Sequence, residues 1–267
     1  MSETSQTATP LDKAHATMEA APSDDAARMR FYERLADAEL FILLEKEPEG
    51  ERIAPEIFET SDASFILVFD TEERLAKFVG RVAPYAALSG RAIAGMLAGQ
   101  GIGLAVNPEV APSSILIPSE AVGWLAETLT HAPDEVEARA QSFTSPAGLP
   151  ESLITALDVK LATAAGFAKS AYLVGVTYEG GAQSHLLGFV DALEQAQGAL
   201  AKAVNEALTF SGIEAGALDV GFFAASDPVA AQLARAGLRF DLPEPEKPSE
   251  YVPIMPGSDP DNPPKLR

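Results

Sequence analysis

The chain reads as an α/β (α+β) protein of two compact units, each a mixed sheet with helices packed on it. Three observations carry that reading. Apolar runs of strand length alternate with stretches of helical spacing along most of the sequence. Helix-start signals built from Ser, Thr, Asp and Pro recur between those runs. In the second half the order strand, strand, helix, strand, helix, strand (ββαβαβ) describes one open sheet with helices laid on it.

Taken from the start, Thr9-Pro10-Leu11-Asp12 has the form of a capping box with proline at the first helical position. Residues 1–23 are therefore expected to form a flexible or helical arm. Residues 24–38 read as a helix, with Asp24 and Asp25 at its positive end and Ala27, Phe31, Leu35 and Ala38 on one face. Leu40 to Leu44 is a strand. Phe65 to Phe69 is apolar on both faces, as in a central strand covered on two sides. Asp70 to Glu73 is a capping box for a short helix with Leu75, Phe78 and Val79 inward. Ser89 is placed to cap another, which buries Ile93, Met96 and Leu97. Strands at Ile102–Val106 and Ile115–Ile117 precede a helix opened by Pro118. These elements make a first unit over residues 24–130.

Residues 131–150 read as a linker, with a modest helix carrying Val136, Ala140 and Phe143 and the loop chemistry of Thr144-Ser145-Pro146-Ala147-Gly148. The second unit spans residues 151–241. A helix buries Leu153, Leu157 and Leu161. Two strand runs, Ala171–Tyr178 and Ser184–Val190, flank the hairpin signal Glu179-Gly180-Gly181. Asp191 and Glu194 read as a capping box for a long helix with Leu193, Leu200, Val204 and Leu208 inward. Leu218–Ala224 is a strand, Asp227-Pro228 opens a helix that Gly237 ends, and Leu238–Asp241 is a short last strand. Residues 242–267 are rich in proline and poor in periodicity, so a disordered tail is expected.

Composition narrows the function. Nineteen Lys and Arg against 39 Asp and Glu leave a net charge of −20. Such a chain repels nucleic acid and anionic membrane surfaces, since both reward clustered cations. With no cysteine there is no disulfide, thiolate nucleophile or Cys-ligated zinc, which fits a reducing compartment. The start MSETSQTATP lacks the layout of a signal peptide. No apolar run approaches the length of about 18 residues that suggests a membrane span. A soluble, cytoplasmic protein is expected.

No motif supplies chemistry. In the glycine-rich stretch Gly95, Gly99, Gly101, Gly103 the order is helix, then Gly99-Gln100-Gly101, then strand, the reverse of a dinucleotide-binding turn, so the glycines are expected to end the helix and turn the chain. Glu45, Glu47, Glu49 and Glu51 lack the fixed spacing of a calcium loop and read as a solvated hairpin tip. No metal site and no cofactor is expected. His15 and His131 read as surface residues. Strand alternation puts His185 beside Leu187 and Phe189, and Asp219 beside Gly221 and Phe223. A buried aspartate needs a partner, so His185 and Asp219 are candidates for a hydrogen-bonded pair if their strands are neighbours.

The run from Met96 to Pro108 ends a strand in Asn107-Pro108. After a short loop, Pro112 to Val122 places Pro118-Ser119-Glu120 at a helix start. Together with Phe41-Ile42-Leu43-Leu44 and Phe65 to Thr71, this resembles the N-terminal domain of the SseB family over roughly residues 25–130. That family takes its name from enhanced serine sensitivity in bacteria. The resemblance implies a cytoplasmic bacterial accessory protein, makes Asn107, Pro108, Pro118 and Glu120 the family-like positions, and transfers no catalytic residue. The expected function is accordingly non-enzymatic, through contacts with an unidentified protein partner, bearing on amino-acid metabolism or stress tolerance. The alternative is a sensor holding a polar ligand between the two units, where clefts commonly form. The two differ in what they need: an exposed apolar patch, or a pocket with converging polar groups.

Overall fold

The computed structural model describes residues 8–48, 50, 52–130, 139–212 and 218–243. The expectations for Glu49, Glu51, His131, Val136 and the tail beyond residue 243 fall outside them.

Helix α1 (Pro10–Ala20) begins at Thr9, whose side chain takes the Asp12 N–H while the Asp12 carboxylate takes the Thr9 N–H, the reciprocal box expected there. Then come α2 (Asp25–Asp37), β1 (Glu39–Leu43), β2 (Ile57–Glu59), β3 (Ser64–Phe69), α3 (Glu72–Val79), β4 (Tyr85–Ser89), α4 (Gly90–Leu97), β5 (Ile102–Val106), β6 (Ile115–Ile117) and α5 (Ser119–Thr130). The strands form one mixed sheet in the order β4-β1-β3-β5-β6, with β2 also paired to β3. Only β3 and β5 run parallel. The inner face of this sheet, with Leu40, Ile42, Ile66, Val68, Leu104, Val106 and Ile117, packs against α1, α2, α4 and α5. Its outer face carries Phe65, Leu67, Phe69 and Ala105 and is covered by the eight-residue α3 through Leu75 and Val79.

The second unit contains β7 (Ala140–Thr144), α6 (Glu151–Ala162), β8 (Ser170–Tyr178), β9 (Gln183–Val190), a 3-10 turn (Glu194–Ala196), α7 (Gln197–Phe210), β10 (Asp219–Phe223), α8 (Pro228–Ala236) and β11 (Leu238–Asp241). From Ser170 onward this is the expected ββαβαβ order. The sheet runs β10-β9-β8-β11, with β7 also paired to β8. Helices α6 and α7 cover the inner face over Leu173, Leu187 and Phe189, and α8 covers the outer face through Leu233. The two inner helical layers meet, and Phe210 at the end of α7 is buried in the core of the first unit.

Several local expectations change. Within the stretch expected to carry a linker helix, Ala140–Thr144 forms β7 on the edge of β8; only Phe143 of these five residues is half-buried, so the two-residue period is faint. The capping residue of α3 is Thr71, not Asp70. Asp191 does not cap α7, because its carboxylate is taken by Lys169 and by the Ala225 N–H. Phe78, Met96 and Leu193, expected inward, are each more than a third exposed. His15 is buried, edge-on to Phe31. Leu242 belongs to the second core, and Pro243 accepts a hydrogen bond from Gly166, so the ordered chain passes the expected tail boundary. Gly99 and Gly101 follow α4 with φ of 74° and 70°. That left-handed backbone is what a chain-turning role requires.

Candidate interaction surface

In an α/β sheet, ligands bind outside the carboxyl ends of the parallel strands. In the first unit that place lies between Asp70, just after β3, and Asn107, just after β5. Asn107 is buried with φ of 47°. Asparagine tolerates this left-handed conformation better than most residues. Its N–H donates to the Val68 carbonyl at 2.8 Å, its side-chain oxygen accepts the Asp70 N–H at 3.1 Å, and its amide donates to Ser113 Oγ at 2.9 Å. Ser113 in turn donates to Asp12 of α1.

Arg74, one turn into α3, closes the network. It donates through Nη1 to Asp70 at 2.7 Å and through both terminal nitrogens to Asp12, while Thr9 donates to the other Asp70 oxygen at 2.6 Å. Burial alone pushes the Asp12 carboxyl up. The hydrogen bonds from Arg74, Ser113 and Thr9 outweigh it and hold the group at about 2. The corner is thus filled by the chain's own helix α1, and Asn107 is a structural keystone. The other family-like positions sit elsewhere. Pro108 is half-buried beside Asn107. Strand β6 runs back antiparallel to β5, so Pro118 and Glu120 lie exposed at the opposite end of that strand, at the start of α5.

His185 and Asp219 lie on neighbouring strands and do not meet. Parallel pairing puts Asp219 opposite Leu186, so the two side chains leave opposite faces of the sheet. Asp219 accepts from the Tyr178 hydroxyl at 2.7 Å on the α8 side. His185 Nε2 is 3.0 Å from the Ala147 carbonyl. Both are half-buried. The register between strands, which a single strand's alternation does not encode, is what separates them.

The first unit also exposes large apolar side chains. On the outer face of its sheet, Phe58 of β2 pairs with Phe65 of β3, Phe65 with Gly103 of β5, and the neighbouring Ala105 with Leu116 of β6. Phe58 is 48 % exposed and Leu116 51 %. A Cβ at Gly103 would lie 2.7 Å from the Phe65 ring and 2.3 Å from the Ile117 carbonyl. The glycine therefore lets that ring lie flat across the sheet. Near the other end of the same face Phe78 tilts against Phe69, and Tyr85 meets Phe41 edge-on; both remain more than a third exposed.

Residues 11–124 match the SseB protein N-terminal domain, from the first turn of α1 to Trp124 in α5. The first unit carries an SseB N-terminal domain. Comparison with curated proteins and with solved structures returned no match. The matched span takes in α1, in agreement with Asp12 being built into the Asn107 corner, so the helical arm is part of the SseB domain.

The SseB domain meets the second unit through a charged seam. Lys160 of α6 lies 2.6 Å from Asp37, 3.2 Å from Glu206 and 3.6 Å from Glu33. Arg91 of α4 bridges Asp37 and Glu206. Burial pushes the Glu33 carboxyl up, and Lys160 only partly compensates. Asp37 is subject to the same burial, but its bonds from Lys160 and Arg91 leave it below the usual range. Beside this cluster Trp124 stands edge-on to both Tyr32 and Phe210. Sequence reasoning missed Arg74, Arg91, Lys160 and Glu206. The one available signal was the four-residue spacing of Asp70 and Arg74, opposite charges on either side of the start of α3.

Among the described residues no group of His, Asp and Glu is arranged to hold a metal ion, and no helix is long and apolar enough to cross a membrane. A hollow of about 200 Å³ lies between α2 and α5, lined by Arg28, Met29, Tyr32, Ala121 and Trp124. A more open trough of about 500 Å³ runs between α4 and α5, past Gly95, Ala98, Ala126, Glu127 and Thr130.

Proposed function

We propose that this chain is a non-enzymatic accessory protein of the cytoplasm that acts by binding another protein through the outer face of its SseB sheet. Its effect is the modulation of amino-acid metabolism or stress tolerance. The observation that carries the reading is the exposure of Phe58 and Leu116 on the two strands flanking a sheet face whose central side chains, Phe65, Leu67, Phe69 and Ala105, are buried. Large apolar side chains gathered on one face mark binding surfaces more often than scattered ones do.

A ligand held between the units is the less favoured reading. The seam is occupied by the Lys160 cluster and Phe210. The hollow beside it measures about 200 Å³. Ligand pockets begin at roughly 300 Å³. The trough between α4 and α5 is large enough, but its lining is mostly small and apolar, and the Thr130 hydroxyl is already donated to the Ala126 carbonyl.

The test is photo-crosslinking in the native cells, with a benzophenone side chain at position 58 or 116. A discrete protein adduct is expected from these positions and not from Leu193 or Leu238, which are also exposed but lie in the second unit. The double substitution Phe58→Ser, Leu116→Ser should abolish function while shifting stability by no more than about 1 kcal/mol, since both side chains are half in water already. Equal adducts from all four positions, or full function in the double variant, would reject the proposal.

A further inference from the structure

We infer that the partner element seated on this face is a basic amphipathic helix, an inference that rests on the protein-binding role proposed above. Strands β2, β3, β5 and β6 stand four abreast, about 14 Å across at the usual strand spacing. That width suits one helix of about 10–12 Å diameter. Sheets in α/β units are ordinarily covered by helices on both faces. Here the inner face carries four helices and the outer face only α3, which sits over Phe69 and Leu43 and leaves Phe58 and Leu116 open on the flanking strands. A helix laid between them would complete the layer, with apolar side chains at i, i+3, i+4 and i+7 reaching Phe58, the edge of Phe65 and Leu116.

Charge selects the kind of helix. Glu56 immediately precedes β2 and Glu59 ends it, Asp62 sits in the turn to β3, and Glu120 opens α5 just beyond β6. Among the described residues none of these four carboxylates is in an ion pair, whereas the carboxylates at the corner and the seam are. Unpaired acidic groups around an apolar row favour a partner whose polar flank is Lys or Arg, chiefly through encounter rate and partner choice. The net charge of −20 acts in the same direction at longer range.

The probe is a helical peptide of about five turns, with leucine at the four apolar positions of each two turns and lysine elsewhere. Two controls accompany it, one with glutamate for lysine and one with serine for leucine. Affinity is read by fluorescence anisotropy on the full chain. The Leu–Lys peptide is expected to bind at least tenfold more tightly than either control. It should lose at least tenfold on Phe58→Ser with Leu116→Ser, and severalfold on Glu59→Lys with Asp62→Lys, which leaves the apolar row intact. Equal binding of the Ser–Lys peptide would show that charge alone attracts it. Unchanged binding by the Phe58, Leu116 variant would place it on another surface. Either result overturns the inference. The in-cell crosslink separates this from failure of the underlying reading. An adduct at position 116 whose partner segment is not basic and helical leaves protein binding standing and removes the basic helix. Absence of any adduct removes both.

Discussion

The corner around Asn107 and the seam around Lys160 use the same chemistry and reach opposite results. Each buries carboxylates against a guanidinium or ammonium. At the corner, one arginine meets two aspartates, and the shortfall in positive charge is made up by neutral donors from Ser113 and Thr9 and from the Thr9 N–H. Asp12 is left with every oxygen engaged and its acidity strengthened. At the seam, two cations face three carboxylates, and the bonds go to Asp37 and Glu206. Glu33 is left 3.6 Å from the ammonium, beyond hydrogen-bond range, and burial pushes its carboxyl up. Whether a buried carboxylate stabilises a fold depends on how many donors reach it, and net charge is the poorer guide.

The largest effect is expected from Arg74→Ala. Removing the arginine leaves Asp12 and Asp70 buried, with only hydroxyl and backbone donors, at a cost of about 3–5 kcal/mol, the scale for breaking a buried pair. Urea unfolding followed by circular dichroism measures it. The same corner sets an acid limit. A carboxyl lowered from 3.8 to about 2 contributes stability that is fully present above its unfolded pKa and is lost as pH falls through the folded one. That contribution is about 2 kcal/mol. It should disappear between about pH 4 and pH 2 in the native chain and be missing at every pH in Asp12→Asn. A loss under about 1 kcal/mol for Arg74→Ala, far below the scale of a buried pair, would mean the corner is solvated and the contrast with the seam is empty.

Lys160→Ala is expected to cost less, about 2–3 kcal/mol, because Arg91 still holds Asp37 and Glu206. Its signature is spatial. Trp124 is the chain's single tryptophan and touches Phe210 across the seam. Loosening the seam should therefore change its emission before circular dichroism reports unfolding. If emission and dichroism change together, the two units unfold as one body, and Phe210 rather than the charges joins them.

These two clusters also mark where the sequence stopped being legible. Local patterns were sufficient for Leu153, Leu157 and Leu161 on α6, for the Thr9 box, and for the ββαβαβ order, because each depends on residues within a few positions of one another. They were insufficient for β2, which has three residues and is exposed throughout, and for β4, whose two central alanines carry little β propensity. Apart from the four-residue spacing of Asp70 and Arg74, neither cluster has a local signal. Asp12 meets Arg74 from 62 residues away, and Arg91 meets Glu206 from 115. The pairing of His185 with Asp219 fails for the same reason: it depends on the register between two strands. Asn107 was singled out by resemblance, while the physical reason for it, a left-handed backbone at a strand end, emerges only in the fold.

The smallest effect is the most discriminating. If Glu33 is the carboxylate left over at the seam, converting it to the neutral amide in Glu33→Gln removes a buried charge. The melting temperature at neutral pH should then stay unchanged, or rise by about 2 °C at most. The sign follows from linkage. A carboxyl whose folded pKa is raised contributes stability that is fully present below its unfolded value, near 4.5, and is lost as pH rises through the folded one. Asp37, shifted down, contributes in the opposite sense and weakens the seam only at lower pH. The native chain should therefore gain seam stability as the pH falls from neutral toward that unfolded value, with Trp124 emission as the readout, and Glu33→Gln should lack that gain. The groups facing Glu33 are Lys160, Asp37 and, along its own helix, Arg34, and none of them is altered by the substitution. A drop of several degrees at neutral pH would show that Glu33 is as firmly partnered as Asp12. The seam would then be a second corner, and the excess carboxylate would have found a donor that the geometry does not supply.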